Sequence, residues 1–402
     1  MSLIQIAFKS IFSRKGVVGL LILSIGLSTM LLMTIQHIKE SAKNSFRHSL
    51  SGTDLVVGAR SGDIQLLMYT VFHLGTPIAT IPWNTVAQIK QLPQVEWVIP
   101  ISLGDSHRGF SVIGTDSNFF KFFRYGRKQS LSFQAGNKWR EPFDVAIGAE
   151  VANALDYTIG DTIYLSHGTG SSVVRHAHNT FTIQGILSPT GTPIDRSIIT
   201  SLQGIDALHS KQDRNDHLTN RSISGCFVGL KSKFSIFAIQ RKLIDEFSHP
   251  LSAIIPGVTL AKVWNSITPI DHVLFIISIL IIIIAFIGFL SLLLLSLHHR
   301  QKELALLRSM GCSPRQIFYL LTLESTIIMG LGVSFGIGLT AIVSCIITPL
   351  LTYKLGIIFT QPLLTVNTSL WVVFMMLFGI IVSIIPAFQA YRKSIAERIL
   401  SA

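Results

Sequence analysis

Residues 274–297 read LFIISILIIIIAFIGFLSLLLLSL, with no charged side chain and an unbroken aliphatic run from Ile279 to Ile284. A bilayer core about 30 Å thick takes about 20 apolar residues to cross as a helix. A buried helix of a soluble protein keeps a polar stripe, and this stretch offers only isolated serines. Three further apolar stretches flank it, at 17–36, 317–350 and 370–385. Between the first and second stretches lies a polar segment, 37–271, more than two hundred residues long. The pattern predicts one membrane span, a large soluble domain, then three spans. Composition agrees, with 49% hydrophobic residues, 13% charged and a mean hydropathy of +0.53. A soluble protein carries about 25% charged residues.

Lys and Arg beside the spans set the orientation. Lys9, Arg14 and Lys15 precede span one. Arg300, Lys302, Arg308 and Arg315 lie between spans two and three, against Glu303. Arg392, Lys393 and Arg398 follow span four, against Glu397. With four crossings these flanks share one side. The expected domains are a cytoplasmic N-terminus 1–16, span one 17–36, an extracytoplasmic α/β domain 37–271 with stalk helices at its ends and span two 272–297. A cytoplasmic loop 298–316, span three 317–349, a short outer loop 350–368, span four 369–390 and a cytoplasmic C-terminus 391–402 complete the order. Span one resembles a signal peptide in its basic start. No A-x-A-like site follows at 36–40, so it is expected to stay as an anchor.

The formal charge of +12 does not indicate nucleic acid. Segment 37–271 holds 22 Lys or Arg and 18 Asp or Glu, a balance of +4, and the rest of the excess sits mostly at membrane flanks. That is topology charge, with attraction to anionic membrane lipid. Cys226 is the one cysteine of the external segment; Cys312 and Cys345 lie in the loop and in span three. No disulfide within that domain and no zinc spacing is available. The external segment reads as mixed α/β, from short alternating runs such as 97–102, 162–166, 180–187 and 225–230, and helical runs 83–91, 150–155 and 234–247. In the last, Phe234, Phe237, Ala238, Leu243 and Phe247 are expected on one apolar face.

The loop between spans two and three, RQKELALLRSMGCSPRQI at 300–317, reads as a short amphipathic helix stopped by Gly311. It restarts with Ser313 as N-cap and Pro314 at the first helical position. Glu324 is an acidic residue at or near lipid depth, functional by default or seated in the interface. Gly332 and Gly336, and likewise Ser334 and Gly338, have the spacing that lets helices approach closely, within the chain or at a dimer seam. His176 and His178 could share one strand face, but a third metal ligand is not evident and a polar hairpin tip is the expected reading. Gly104-Asp105-Ser106-His107 and Asp206-Ala207-Leu208-His209 resemble two blocks of GDSL-type ester hydrolases, with the block that supplies oxyanion donors missing.

The run from Arg300 to Arg315 resembles the RxxExALLRxxGxSxxQI signature of the FtsX-like permease family, the permease subunits of type VII (mechanotransmission) ABC transporters. The terminus PAFQAYRKSIAERIL at 386–400 is similar to that family's ending. IGAEVANALDYTIGDTI at 147–163 and TIQGIL at 182–187 resemble elements of MacB-like periplasmic core domains. The resemblance implies four transmembrane helices in a one-plus-three arrangement, with a large mixed α/β extracytoplasmic domain between helices one and two. It implies a non-catalytic permease subunit in a bacterial inner membrane, with no cofactor in this chain. No G-x-x-x-x-G-K-[ST] motif occurs, so ATP and Mg are expected on a separate cytoplasmic ABC ATPase subunit. Further partners implied are a second permease chain, the same or paralogous, and a periplasmic adaptor or lipoprotein. Arg300, Glu303, Leu307, Arg308, Gly311 and Arg315 are then the expected ATPase-coupling residues. Candidate cargoes are a lipoprotein, a peptide or a hydrophobic compound. The alternatives are a transmembrane regulator of a periplasmic cell-wall enzyme and the ester hydrolase.

Overall fold

The computed structural model describes residues 3–167, 174–209, 222–355 and 364–400. The chain opens with α1 (Leu3–Ser13) and α2 (Lys15–His48). Six short helices follow: α3 (Asp63–Val71), α4 (Trp83–Gln91), α5 (Asn118–Phe122), α6 (Ala149–Leu155), α7 (Leu202–His209) and α8 (Ile236–Asp245). They alternate with ten strands of one sheet: β1 (Leu55–Ala59), β2 (Val95–His107), β3 (Phe110–Thr115), β4 (Phe133–Gly136), β5 (Asp144–Ile147), β6 (Thr162–His167), β7 (Val174–Leu187), β8 (Ser197–Ser201), β9 (Gly225–Leu230) and β10 (Leu251–Ile254). The chain ends with α9 (Pro256–His299), α10 (Gln301–Ser309), α11 (Pro314–Leu355) and α12 (Val366–Leu400).

Two compact units result. One holds residues 1–41, 269–354 and 359–402; the other holds 42–268 with 355–358. In the first unit α2, α9, α11 and α12 are each long and apolar enough to cross a membrane. Leu21, Ile25, Phe286, Phe289, Met329, Val333 and Met375 are buried where these helices meet. Leu23, Leu27, Leu280, Ile284, Phe374 and Ile381 stay exposed on the outside of the bundle, as a lipid-facing surface requires. The helices outrun their apolar stretches: α2 continues to His48 and α9 already begins at Pro256.

Gly332 and Gly336 of α11 face α2. A Cβ at Gly332 would lie 2.8 Å from the Ile25 Cβ, and one at Gly336 would lie 2.6 Å from the Thr29 Cβ, so bare backbone is what lets α11 pack this closely. Ser334 and Gly338 lie on the exposed side instead.

In the second unit the strand order is β10-β1-β9-β2-β3-β8-β5-β7-β4, with β6 pairing to both β7 and β2. Most neighbours are antiparallel; β3–β8 and β5–β7 are parallel. Strand β8 (SIITS) is buried on both faces, which hides the alternation that marks a half-exposed strand. One apolar layer unites α4 and α8 with β1, β9 and β10 through Val86, Ile89, Ile239 and Leu243. Another lies under α3 and α5, around Leu66, Leu67, Phe119 and Phe227. A third fills the β5–β7 half around Val145, Phe181 and Ile183.

The face expected for 234–247 is corrected by this packing. Ile239 and Leu243 are the buried residues of α8, while Phe234 is 100% exposed and Phe237 73% exposed. A 3-10 turn at Lys233–Ser235 precedes the helix, so the periodicity starts later than the apolar run does. The side chains of His176 and His178 lie outside the described residues.

Candidate functional site at the basic end of the helix bundle

Helix α9 stops at His299, and Arg300 occupies the N-cap of α10 without capping it by a side-chain hydrogen bond. Its side chain turns inward. Both Nη atoms donate to Glu324 of α11, Nη1 to Oε2 and Nη2 to Oε1, the latter at 3.2 Å. This is the two-pronged guanidinium–carboxylate geometry, stronger than a single neutral hydrogen bond. Both side chains are 5% exposed. Arg14, between α1 and α2, donates from Nη2 to the same Oε1 at 3.4 Å. It also reaches Ser296 of α9 through Nη1 at 2.6 Å. Ser10 of α1 accepts from Arg14 Nη2 and Arg300 Nη2, each at 2.6 Å. Arg300 Nε donates outward to Glu303 Oε2 at 3.3 Å, and that carboxylate is 56% exposed.

One buried guanidinium, Arg300, and one half-buried guanidinium, Arg14, thus share one buried carboxylate, and Glu303 supplies a second negative charge from the solvent side. Removing one partner of a buried pair leaves an uncompensated charge and costs about 3–5 kcal/mol. An exposed pair contributes about 0–1 kcal/mol. The joint is therefore strong inside and weak outside. It ties together α1, α2, α9, α10 and α11 at a single point.

The segment beyond it is a separate short helix with two well-built ends. Gly311 has φ +95, a left-handed conformation that a Cβ would strain. Gly311 N–H donates to Arg308 O at 2.9 Å and Cys312 N–H to Leu307 O at 3.1 Å, the paired bonds of a Schellman stop. Helix α11 then starts with a reciprocal box: Ser313 N–H donates to Gln316 Oε1 at 2.8 Å, and Gln316 N–H to Ser313 Oγ at 3.3 Å. Leu304 and Cys312 pack inward on Ile317, Leu321, Ala387 and Ala390. Leu306 and Met310, one helical turn apart, are 63% and 72% exposed.

These positions sort the expected coupling residues. Arg315 and Gly311 are exposed, Glu303 is exposed but bonded to Arg300, and Leu307 and Arg308 are half-buried. Arg300 faces the bundle interior, where Glu324 holds its guanidinium. Sequence reasoning assigned Arg14 to topology alone and passed over Ser10, Ser296, Leu306 and Met310. Leu306 and Met310 could have been found from their i, i+4 spacing on the side opposite Leu304.

The serine of the ester-hydrolase blocks is not presented at the surface. Ser106 is 4% exposed near the C-terminal end of β2, in register with Ser111 of β3 and Ser166 of β6. Its carbonyl accepts from Ser166 Oγ at 2.9 Å. Asp206 lies on α7, and the His209 side chain is outside the described residues.

The family model of the MacB-like periplasmic core domain matches residues 18–246, and that of the FtsX-like permease C-terminal matches residues 275–395. The chain belongs to the FtsX-like permease family. No curated protein matches it. Among solved structures, it is similar to the periplasmic region of MacB from Actinobacillus actinomycetemcomitans, at 9% identity and TM-score 0.35, over 54% of this chain and 95% of that one. It is also similar to the extracellular domain of the noncanonic ABC-type transporter YknZ from Gram-positive bacteria, at 11% identity and TM-score 0.32, over 50% of this chain and 98% of that one. FtsX-like permeases are multi-pass membrane subunits of ABC transporters that work with a cytoplasmic ABC ATPase, and they are generally non-catalytic themselves. The fold class expected from the apolar stretches, one span, a mixed α/β domain and three spans, is the fold of this chain.

Proposed function

We propose that this FtsX-like permease couples ATP hydrolysis by a separate subunit to movement of its α/β domain, and that α10 is where the ATPase docks. The observation that carries this reading is the isolation of α10. It is bounded by Arg300 and by the Gly311 stop, and presents Leu306 and Met310 outward, with Lys302 and Arg315 exposed as well. Exposed apolar side chains with flanking charge suit a protein partner better than water. Leu307, Arg308 and Gly311 serve as supporting and hinge positions, and Arg300 anchors the base. ATP and Mg belong to the partner's site. Helices α2 and α9 begin in one compact unit and end in the other, which supports a role as the moving elements. The basic end then faces the cytoplasm of a bacterial inner membrane, and a second permease chain completes the assembly. The cargo is a lipoprotein, a peptide or a hydrophobic compound, handled on the outer side.

The test is purification of the tagged chain in mild detergent with its associated ATPase. Wild type is expected to retain a stoichiometric ATPase. Leu306→Asp and Met310→Asp are expected to lose it while the permease still purifies folded. A wild-type chain that captures no ATPase sinks the reading.

A further inference from the structure

We infer that Arg300 is a pivot with one fixed end and one releasable end: the Glu324 contact stays closed while the Glu303 contact opens when α10 is displaced. The inference rests on α10 being the docking helix. Its grounds are the two environments of one side chain. On the inner side both Nη atoms meet Glu324 where each side chain is 5% exposed. On the outer side only Nε meets Glu303, at 3.3 Å, with Glu303 56% exposed. Charges in a low-dielectric interior attract several times more strongly than charges screened by water and salt. A force on α10 therefore breaks the Glu303 contact first and leaves Arg300 seated.

The seat is what distributes the motion. Ser10 accepts from both arginines, so α1 is attached to the pivot. Arg14 bridges Glu324 and Ser296, so the start of α2 and the end of α9 are attached as well. Arg300, Glu324, Arg14 and Ser10 are positioning residues, and Glu303 is the latch. Separating these roles yields a pattern that loss of fold alone cannot imitate.

Hydrogen–deuterium exchange of the full-length permease in nanodiscs, without ATPase, reads the pattern directly. Glu303→Gln is expected to raise exchange at 301–309 at least about threefold while α1 stays at the wild-type rate, since the ionic attraction of one weak contact is lost locally. Glu324→Gln is expected to raise exchange in both 301–309 and α1. Glu324→Asp, which keeps the charge, is expected to restore most of the α1 protection. Arg14→Gln with Ser10→Ala cuts the attachment of α1 but keeps Arg300 on Glu324, and is expected to loosen α1 and leave α10 unchanged. That last variant answers the question even if Glu324→Gln does not fold.

Equal loosening of α1 by Glu303→Gln and Glu324→Gln overturns the inference. So does an α10 that loosens when only Arg14 and Ser10 are changed. In a second arm with the ATPase bound, Glu303→Gln is expected to keep nucleotide-dependent changes in exchange along α2, and Glu324→Asp to keep them in part. Loss of those changes in Glu303→Gln alone also overturns it. If the wild type binds no ATPase, the docking reading fails by itself, and the first arm still decides whether the pivot exists.

Discussion

Both compact units bury carboxylates, and they satisfy them in opposite ways. In the bundle, Glu324 is held by two guanidiniums from distant parts of the chain. In the α/β domain, Asp195 is held by its own turn. Thr190 N–H and Thr190 Oγ–H donate to Oδ1 at 2.8 and 2.7 Å, and Gly191 N–H donates to Oδ2 at 2.8 Å. Asp144 follows the same local pattern, accepting from the N–H groups of Arg140 and Glu141 at 3.0 and 2.9 Å. Amides three to five residues away fix a loop in one shape. Guanidiniums 24 and 310 residues away fix helices to one another. The domain's buried acids serve rigidity, whereas the bundle's buried acid sits where movement has to be passed on.

The sharpest break in that comparison is Glu324→Leu. It strands Arg14 and Arg300 without their shared acid, and is expected to destabilise the bundle by about 3–5 kcal/mol. Thermal unfolding in detergent, followed by proteolysis of the spans, reads the loss. Pairing it with Arg300→Met is expected to recover part of it, because one of the two uncompensated charges is then gone. No recovery would mean that packing, rather than charge, sets the cost. Next in size is Gly336→Leu. A Cβ there already meets the Thr29 Cβ at 2.6 Å, so α2 and α11 must part, at about 1–3 kcal/mol. The same substitution at Gly338, where nothing lies within 4 Å, is expected to be neutral by the same assay.

Much of this was legible in the sequence for physical reasons. Spans announce themselves because a bilayer demands long apolar runs. Helix α10 was legible because its stop and restart use residues with narrow backbone roles: Gly311 for the left-handed turn, Ser313 and Pro314 for the new helix. The joint was not legible. Arg14 and Arg300 carry the same signal as any basic residue beside a span, and their partner Glu324 lies 310 and 24 residues away. Nothing local distinguishes a guanidinium that turns inward from one left in water. The start of the α8 face differs for a related reason: Leu243 is buried as its spacing predicts, but Phe234 and Phe237 look like core residues until neighbouring elements bury Ile239 instead.

In the domain, Asp195→Ala tests the local mode of satisfaction. It leaves the Thr190 and Gly191 donors without acceptors and is expected to cost about 1–3 kcal/mol, confined to the turn. Protease cleavage near 188–196 in the full chain measures it. Burial pushes the Asp195 carboxyl above its ordinary value, against the pull of the Thr190 and Gly191 hydrogen bonds. The folded state therefore holds this proton more tightly than the unfolded state. The corresponding stability is present below the ordinary carboxylate range and is lost as pH rises through the raised value. Cleavage near the turn in wild type is expected to become easier over that window, and Asp195→Ala is expected to show no such slope. The bundle is expected not to share it.

The smallest expected effect is the most informative about the two ends of Arg300. Glu303→Gln removes the charge from a contact 56% open to water, so its cost to bundle stability is expected to be under about 1 kcal/mol. High salt is expected to abolish even that, because screening acts on exposed pairs and spares buried ones. Glu324→Leu is expected to remain just as damaging at high salt. The decisive comparison is therefore the salt dependence of the two variants measured side by side by thermal unfolding. If Glu303→Gln cost as much as Glu324→Leu and resisted salt equally, the outer contact would be a structural strut, and α10 could not move without disassembling the end of the bundle. A salt-labile outer contact on a salt-resistant inner one leaves α10 free to swing on an anchored base.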